Sequence, residues 1–114
     1  MAVSPKYRTF ALEQLEQVAP VTARAMFGGV GLYSDGLFFA LIDDDTLYFK
    51  VDDTNRGDFE AEGMGPFKPF GDDSYSMHYY EVPADLLEDP ERLREWMEKA
   101  LAAARRKRRS GRRR

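Results

Sequence analysis

The stretch Arg24-Ala-Met-Phe-Gly-Gly-Val-Gly-Leu-Tyr33 decides the fold. It contains two apolar runs, with two glycines between them and a third glycine inside the second run. Glycine adopts backbone conformations that other residues avoid, and it leaves room where another backbone comes close. The stretch therefore predicts a strand over residues 21–27, an interruption at Gly28-Gly29 and a second strand from Val30 to Tyr33. A phosphate-binding loop would need a helix after the glycines, whereas a strand follows here. We interpret the stretch as a bulged hairpin.

The residues that follow predict a continuing antiparallel meander. Ser34-Asp35-Gly36 and Asp43-Asp44-Asp45 have the composition of tight turns. Between them, Leu37-Phe-Phe-Ala-Leu-Ile42 is apolar on both faces, which predicts a strand near the middle of the sheet. The next run, Leu47-Tyr-Phe-Lys-Val51, alternates between apolar and polar residues and predicts a strand with one buried face.

Helix signals flank this meander. Ser4-Pro5 predicts the start of a first helix, which should end at Ala19-Pro20. The remaining predicted elements are a short helix from Asp52 or Asp53 to about Glu62, a strand from Tyr75 to Val82, a helical turn from Pro83 to Glu88 and a last helix opening at Asp89-Pro90. With one or two strands after the short helix, the order is α-β-β-β-β-α-β-β-α at its longest, and it predicts a two-layer α+β domain in which helices pack on an antiparallel sheet of five to six strands.

The charge distribution divides the chain into two parts. Residues 105–114 hold eight of the 17 basic residues and no acid, which leaves nine basic and 20 acidic side chains in residues 1–104. We therefore expect a folded acidic domain over 1–104, with a net charge of −11, and an arginine-rich flexible tail over 105–114 that frays beyond about Arg108. Such a tail can bind phosphates without sequence preference or remain solvated against the acidic domain.

The composition offers little for catalysis or metal binding. The chain has no cysteine and one histidine, His78, so the usual zinc ligand sets are absent. His78 is either a general base or, as we favour, a histidine on a sheet face among aromatic residues. The acidic clusters fit turns and helix caps better than metal ligation. We expect no enzyme activity, no metal and no cofactor.

No secretory or membrane signal stands out. The first residues lack a basic segment followed by an apolar one, and no apolar run approaches the ~20 residues of a membrane span. With the absence of cysteine, this favours a bacterial cytoplasmic protein that does not contact membranes.

An ordered set of short segments resembles the N-terminal domain of the TfoX/Sxy competence regulators, over about residues 5–104. The segments are Arg24–Tyr33, Gly36, Phe39-Ala-Leu41, Leu47-Tyr-Phe-Lys-Val-Asp52, Asn55-Arg56, Asp58-Phe59-Glu60-Ala61, Gly63, Pro66-Phe67, Met77, Tyr79-Tyr-Glu-Val-Pro83 and Trp96. The resemblance implies a fold like that of type III secretion chaperones and a role in transcriptional control of DNA uptake. Full-length regulators of this kind carry a second, helical domain where this chain has residues 105–114, so we expect a stand-alone N-terminal domain.

The function predicted from these observations is a non-enzymatic regulatory module that acts through protein contacts. The transcription machinery or a transcription factor is the expected class of partner, and pairing into a homodimer at sheet edges is an alternative. The predicted partner-binding residues are Arg24, Phe27, Gly28, Gly29, Gly31, Tyr79 and Tyr80. The alternative function is an accessory protein that binds nucleic acid non-specifically through its tail, with Arg105, Arg106, Lys107, Arg108, Arg109, Arg112, Arg113 and Arg114 as the contacts.

Overall fold

A single antiparallel sheet organises the chain. The computed structural model describes residues 3–26, 28–69 and 78–112. Within them the sheet has five strands, in the spatial order β1-β2-β3-β4-β5: β1 (Thr22–Met26), β2 (Gly29–Ser34), β3 (Leu37–Asp43), β4 (Thr46–Lys50) and β5 (Tyr79–Glu81). The helices are α1 (Pro5–Glu16), α2 (Arg56–Ala61) and α3 (Pro90–Arg112), with a 3₁₀ helix at Ala84–Glu88. The predicted α+β class is confirmed, and the sheet is open.

β3 occupies the centre of the sheet, as its doubly apolar pattern predicts. Phe39, Ala40 and Ile42 are fully buried in the main core, on the face covered by α1 and α3. Leu41 points to the opposite face and is also buried. A strand buried on both faces gains more from burial at the centre than at an edge, which explains its position.

The predicted tight turns are confirmed by backbone geometry. Asp35 and Gly36 have φ values of 52° and 76°, and Asp44 and Asp45 have φ values of 51° and 53°. Two consecutive residues with positive φ are typical of a type I′ turn. The backbone twist of this turn matches the right-handed twist of the two strands that it joins. The register then shifts between Leu32 and Tyr33, so that the bulge lies in the β2–β3 hairpin and not at the first glycines.

α1 begins as predicted. The Ser4 hydroxyl accepts a hydrogen bond from the Tyr7 N–H at 3.2 Å, and Pro5 occupies the first helical turn. The Ser4 N–H donates to the Asp45 carboxylate at 2.7 Å, which ties the helix start to the β3–β4 turn. The helix ends at Glu16, before the predicted Ala19-Pro20.

α2 starts later than predicted, at Arg56, because a buried asparagine organises the residues before it. The Asn55 side chain is 1% exposed. Its Oδ1 accepts from the Asp52 N–H at 2.8 Å, and its Nδ2 donates to the Lys50 carbonyl at 3.0 Å. These bonds hold residues 53–55 as a turn. Gly63, with a φ of 78°, follows the helix as expected of a C-terminal glycine.

The last strand and helix differ from prediction in their lengths. β5 covers Tyr79–Glu81, and residues 75–77 of the predicted strand lie outside the described residues. The predicted helical turn after it is confirmed as the 3₁₀ helix. In α3 the apolar residues Leu93, Trp96, Met97, Ala100 and Ala104 are buried, and Leu101 is half-buried.

The arginine-rich end of the chain is helical where we expected fraying. α3 continues to Arg112, so residues 105–112 belong to it. Arginine has a high helix propensity, and cations near a helix C-terminus interact favourably with its dipole, which together offset the repulsion between like charges. Arg113 and Arg114 lie outside the described residues. None of the described helices is both long and apolar enough to cross a membrane.

Candidate interaction site

The sheet face opposite the helices carries a row of aromatic rings with a cation at each end. The Tyr33 and Phe38 ring centroids are 5.0 Å apart, and those of Phe38 and Tyr79 are 5.2 Å apart. The Arg24 guanidinium lies 5.6 Å from the Tyr33 centroid, and the Lys50 ammonium lies 5.0 Å from the Tyr79 centroid. We call these five side chains the aromatic row. Each ring contact and cation–π contact contributes on the order of 1 kcal/mol, so the row is a stabilising element of this face.

Strand register assembles the row. Tyr33 is paired with Phe38 across the β2–β3 hairpin, and Lys50 is paired with Tyr79 across β4 and β5. Burial raises the pKa of Tyr79, and the nearby Tyr33 raises it further by a smaller amount. The phenol of Tyr79 therefore stays protonated at neutral pH. Burial also lowers the pKa of Lys50, and the positive charge of Lys107 lowers it further. The sequence did not lead us to predict three members of the row, Tyr33, Phe38 and Lys50. The predicted turn at residues 34–36 places Tyr33 opposite Phe38, so it could have indicated this pair.

The glycines of the opening stretch are used by the chain itself. Gly28 has a φ of 79° and belongs to the β1–β2 turn. A Cβ at Gly29 would lie 2.5 Å from the Ile42 carbonyl oxygen, and one at Gly31 would lie 2.8 Å from the Met26 sulfur. The space beside Gly29 and Gly31 is therefore filled by β3 and by Met26. The expected approach of a partner backbone to these two glycines gains no support from this packing.

The other predicted partner-binding residues are divided between the two faces of the sheet. Arg24 is exposed on β1, and Tyr79 is buried within the aromatic row. Tyr80 points to the helix face, where its ring lies 6.0 Å from that of Phe59 and its hydroxyl is 3.4 Å from a Glu60 carboxylate oxygen. Phe27 lies outside the described residues. Among the predicted set, Arg24 is thus the side chain that is both described and open to a partner.

The two edges of the sheet differ in whether another segment of the described chain covers them. The Phe67 N–H donates to the Tyr79 carbonyl at 2.6 Å, and the Glu81 N–H donates to the Gly65 carbonyl at 3.0 Å, so residues 65–67 cover the outer edge of β5. The Phe67 ring also packs on Tyr48, at 4.9 Å between centroids. The segment around Pro66 therefore serves as a cover for this edge of the sheet. In the described part of the chain, β1 pairs with β2 and its other edge has no strand or segment on it.

Three cations of α3 are spaced by seven residues and face acidic groups of the domain. Arg92 lies 3.7 Å from both Glu62 and Asp85. Lys99 lies 2.8 Å from Asp58. Two turns further, the Arg106 Nε donates to the Asp52 carboxylate at 2.8 Å, and its Nη2 donates to the Thr54 hydroxyl at the same distance.

The pairs of Lys99 and Arg106 fasten α3 to α2 and to the turn before it. Burial of Asp52 disfavours its ionised form, but hydrogen bonds from Arg106 and Thr54 outweigh this and lower its pKa to about 2. Arg106, one of the predicted nucleic-acid contacts, therefore holds the helix to the domain.

The remaining described cations of this end have other surroundings. Lys107 is exposed and lies near Lys50 at the end of β4. Arg105, Arg108 and Arg109 are exposed, and they form no ion pair with any residue that the structure describes.

The side chains with catalytic potential are scattered. His78 is exposed just before β5, and its ring makes no hydrogen bond within the described residues. In the same part of the chain, no three His, Cys, Asp or Glu side chains are close enough to hold a metal ion.

Over the ranges that the structure describes, these features define a small α+β domain with helices on one sheet face, an aromatic row on the other and one uncovered edge. The chain belongs to the TfoX N-terminal domain family, whose family model matches residues 13–104. No curated protein matches this chain.

Proposed function

We propose that this chain is a non-enzymatic regulatory module that binds a protein partner along the edge of β1. Membership of the TfoX N-terminal family supports a TfoX-like module. The observation that carries the proposal is the difference between the sheet edges, since residues 65–67 cover β5 while β1 has no such cover among the described residues. An uncovered edge presents unpaired backbone groups, which a protein must either protect or use.

The partner is an extended segment that adds a strand beside β1 and carries a carboxylate opposite Arg24. Strand addition draws its affinity from main-chain hydrogen bonds and its specificity from side chains near the edge. Arg24 supplies that specificity because it is exposed and its guanidinium is held over Tyr33. A carboxylate can accept two hydrogen bonds from a guanidinium, which fixes the register of the added strand.

A transcription factor or a subunit of the transcription machinery is the proposed class of partner, in the bacterial cytoplasm, with DNA uptake as the first process to examine. The chemistry of the described side chains favours binding over catalysis. His78 is exposed, and among the residues that the structure describes its ring has no hydrogen-bonded neighbour to orient it as a general base. Burial raises the pKa of Tyr79, and burial together with Glu81 raises that of Tyr48 to about 12, which disfavours a tyrosine base.

Site-specific photo-cross-linking tests this proposal. A photoreactive amino acid replaces Thr22, an exposed residue of β1, or Glu13, an exposed residue of α1 that serves as the positional control. We expect a cross-linked protein partner from position 22 and none from position 13. The cross-link should be lost in Arg24→Glu and retained in Arg8→Glu, a variant with the same charge change on α1.

Three outcomes would contradict the proposal. Equal cross-linking from positions 22 and 13 would show that β1 has no special role. Retention of the cross-link in Arg24→Glu, at an unchanged unfolding midpoint, would remove Arg24 from the contact. A product of twice the mass of the chain would make the occupant of the edge a second copy instead of a separate partner.

A further inference from the structure

The basic residues of α3 serve two separate purposes. The cations at positions 92, 99 and 106 are spaced by seven, and each faces an acid of the domain. Arg105, Arg108 and Arg109 are spaced by three and four residues, so they lie on a common side of the helix. They are exposed, they have no ion-pair partner among the described residues, and the sequence has no acid after Glu98. We call these three residues the arginine stripe.

The fold holds this stripe on an anchored helix. Ala103 and Ala104, immediately before the stripe, are 1% and 6% exposed, so this part of α3 still packs on the domain. Arg106, within the stripe's first turn, is fixed by Asp52 and Thr54. The stripe is therefore ordered before any partner arrives, which lowers the entropic cost of binding.

We propose that the arginine stripe binds the phosphate backbone of double-stranded DNA without reading its base sequence. Arginine matches phosphate geometry with two parallel hydrogen bonds, and three such residues on one helix side form a small cationic surface. Residues 1–104 carry a net charge of −11, so DNA is repelled from the domain and attracted to the end of α3. This proposal is independent of the contact along β1.

The structure favours duplex DNA over a membrane and over a single strand. After Ala104 the chain contains no apolar residue, so this end of the helix has nothing to insert between lipid tails. Proteins that hold single strands offer aromatic ring faces to the bases. Here the three rings of the aromatic row pack against one another, and Arg24 and Lys50 lie over the two outer rings.

Salt-dependent binding to a DNA duplex of random sequence tests the proposal on the full chain. Each phosphate contact contributes about −0.9 to the slope of log affinity against log salt concentration. Replacing Arg105, Arg108 and Arg109 together by Gln should therefore reduce the size of that slope by about 2.7. Between about 50 and 200 mM salt, the wild-type chain should lose about 40-fold more affinity than the triple variant.

A matched control separates the stripe from overall charge. The variant Lys6/Arg8/Arg94→Gln removes three positive charges from exposed positions elsewhere on α1 and α3. It should keep the wild-type slope. Both triple variants replace exposed helical residues by a good helix former, so unchanged circular dichroism is expected and is measured alongside.

Several results would overturn the proposal. One is a wild-type chain that fails to bind duplex at about 50 mM salt, and another is an equal loss of slope in the two triple variants. Tighter binding to a single strand of the same length would point to base stacking. Binding to phosphatidylserine vesicles as tight as that to duplex would assign the stripe to lipid headgroups.

Discussion

Replacing Gly29 by alanine tests whether the glycines of β2 serve the packing of the sheet. The added methyl would lie 2.5 Å from the carbonyl oxygen of Ile42. This oxygen belongs to the central strand, so the methyl is accommodated only if one strand backbone moves. Overpacking of this kind costs about 1–3 kcal/mol, and the reduced freedom of the unfolded chain returns about 0.4–1 kcal/mol. We expect Gly29→Ala to lower the free energy of unfolding by about 1–2 kcal/mol.

Two further glycines provide graded controls. A methyl at Gly31 meets the Met26 sulfur at 2.8 Å, but this atom ends a flexible side chain that can turn aside. Gly31→Ala should therefore stay within about 1 kcal/mol of the wild type. A methyl at Gly57, in α2, has nothing within 4 Å, and alanine favours a helix over glycine by up to about 1 kcal/mol. Gly57→Ala should be as stable as the wild type or more stable.

Urea unfolding measures all three variants. The chain's only tryptophan, Trp96, is buried with its ring 4.6 Å from that of Phe59, so its fluorescence reports loss of the core. The expected order of stability is Gly57→Ala, wild type, Gly31→Ala and then Gly29→Ala. A Gly29→Ala protein as stable as the wild type would refute the packing argument, as would a larger loss in Gly31→Ala.

Three further perturbations address the supports of the fold. Asn55→Ala leaves two partly buried backbone groups without their partner, so we expect a loss of about 2–3 kcal/mol in urea unfolding; a loss below that of a surface substitution would contradict it. The pKa of Asp52 is lowered from 3.8 to about 2 in the folded state, so its stabilising effect is present above about pH 4 and is lost as the pH falls towards 2. As the pH falls through this range, the unfolding midpoint should fall less steeply in Asp52→Asn than in the wild type. An equally steep fall in the two proteins would count against the bond to Arg106. Phe59→Ala should cost about 3–5 kcal/mol by calorimetry, since it removes a fully buried ring, and a cost under about 1 kcal/mol would place that ring outside the core.

Local sequence patterns were sufficient for most of the fold. The continuous apolar run at residues 37–42 has one favourable position, the middle of a sheet, and β3 occupies it. The cap at Ser4 and the spacing of apolar residues from Leu93 to Ala104 depend on interactions within a few residues of each other, which a sequence displays directly. The helical end of α3 was not predicted, because local propensity is only part of its support and Arg106 is also held by Asp52, which lies 54 residues earlier.

The candidate site was harder to predict because it depends on contacts between strands. The spacing around Gly29 indicates a close approach but not which atoms approach, and the structure identifies the carbonyl of Ile42. Similarly, the adjacent Tyr79 and Tyr80 were both predicted to bind a partner. Tyr79 joins the aromatic row while Tyr80 faces the helices, since neighbouring residues of a strand point to opposite faces. Which face carries the row is decided by packing against α1 and α3, which local patterns do not display.

Transcript profiling in the organism that encodes the chain tests the proposed regulatory role most directly. The gene is deleted and then restored as the wild type, as Arg24→Glu or as Arg8→Glu, with equal protein levels verified in each strain. Regulation through the β1 edge predicts that Arg24→Glu reproduces the transcript changes of the deletion, whereas Arg8→Glu restores the wild-type pattern. A deletion that leaves all transcripts unchanged, or an Arg24→Glu strain that matches the wild type, would contradict it.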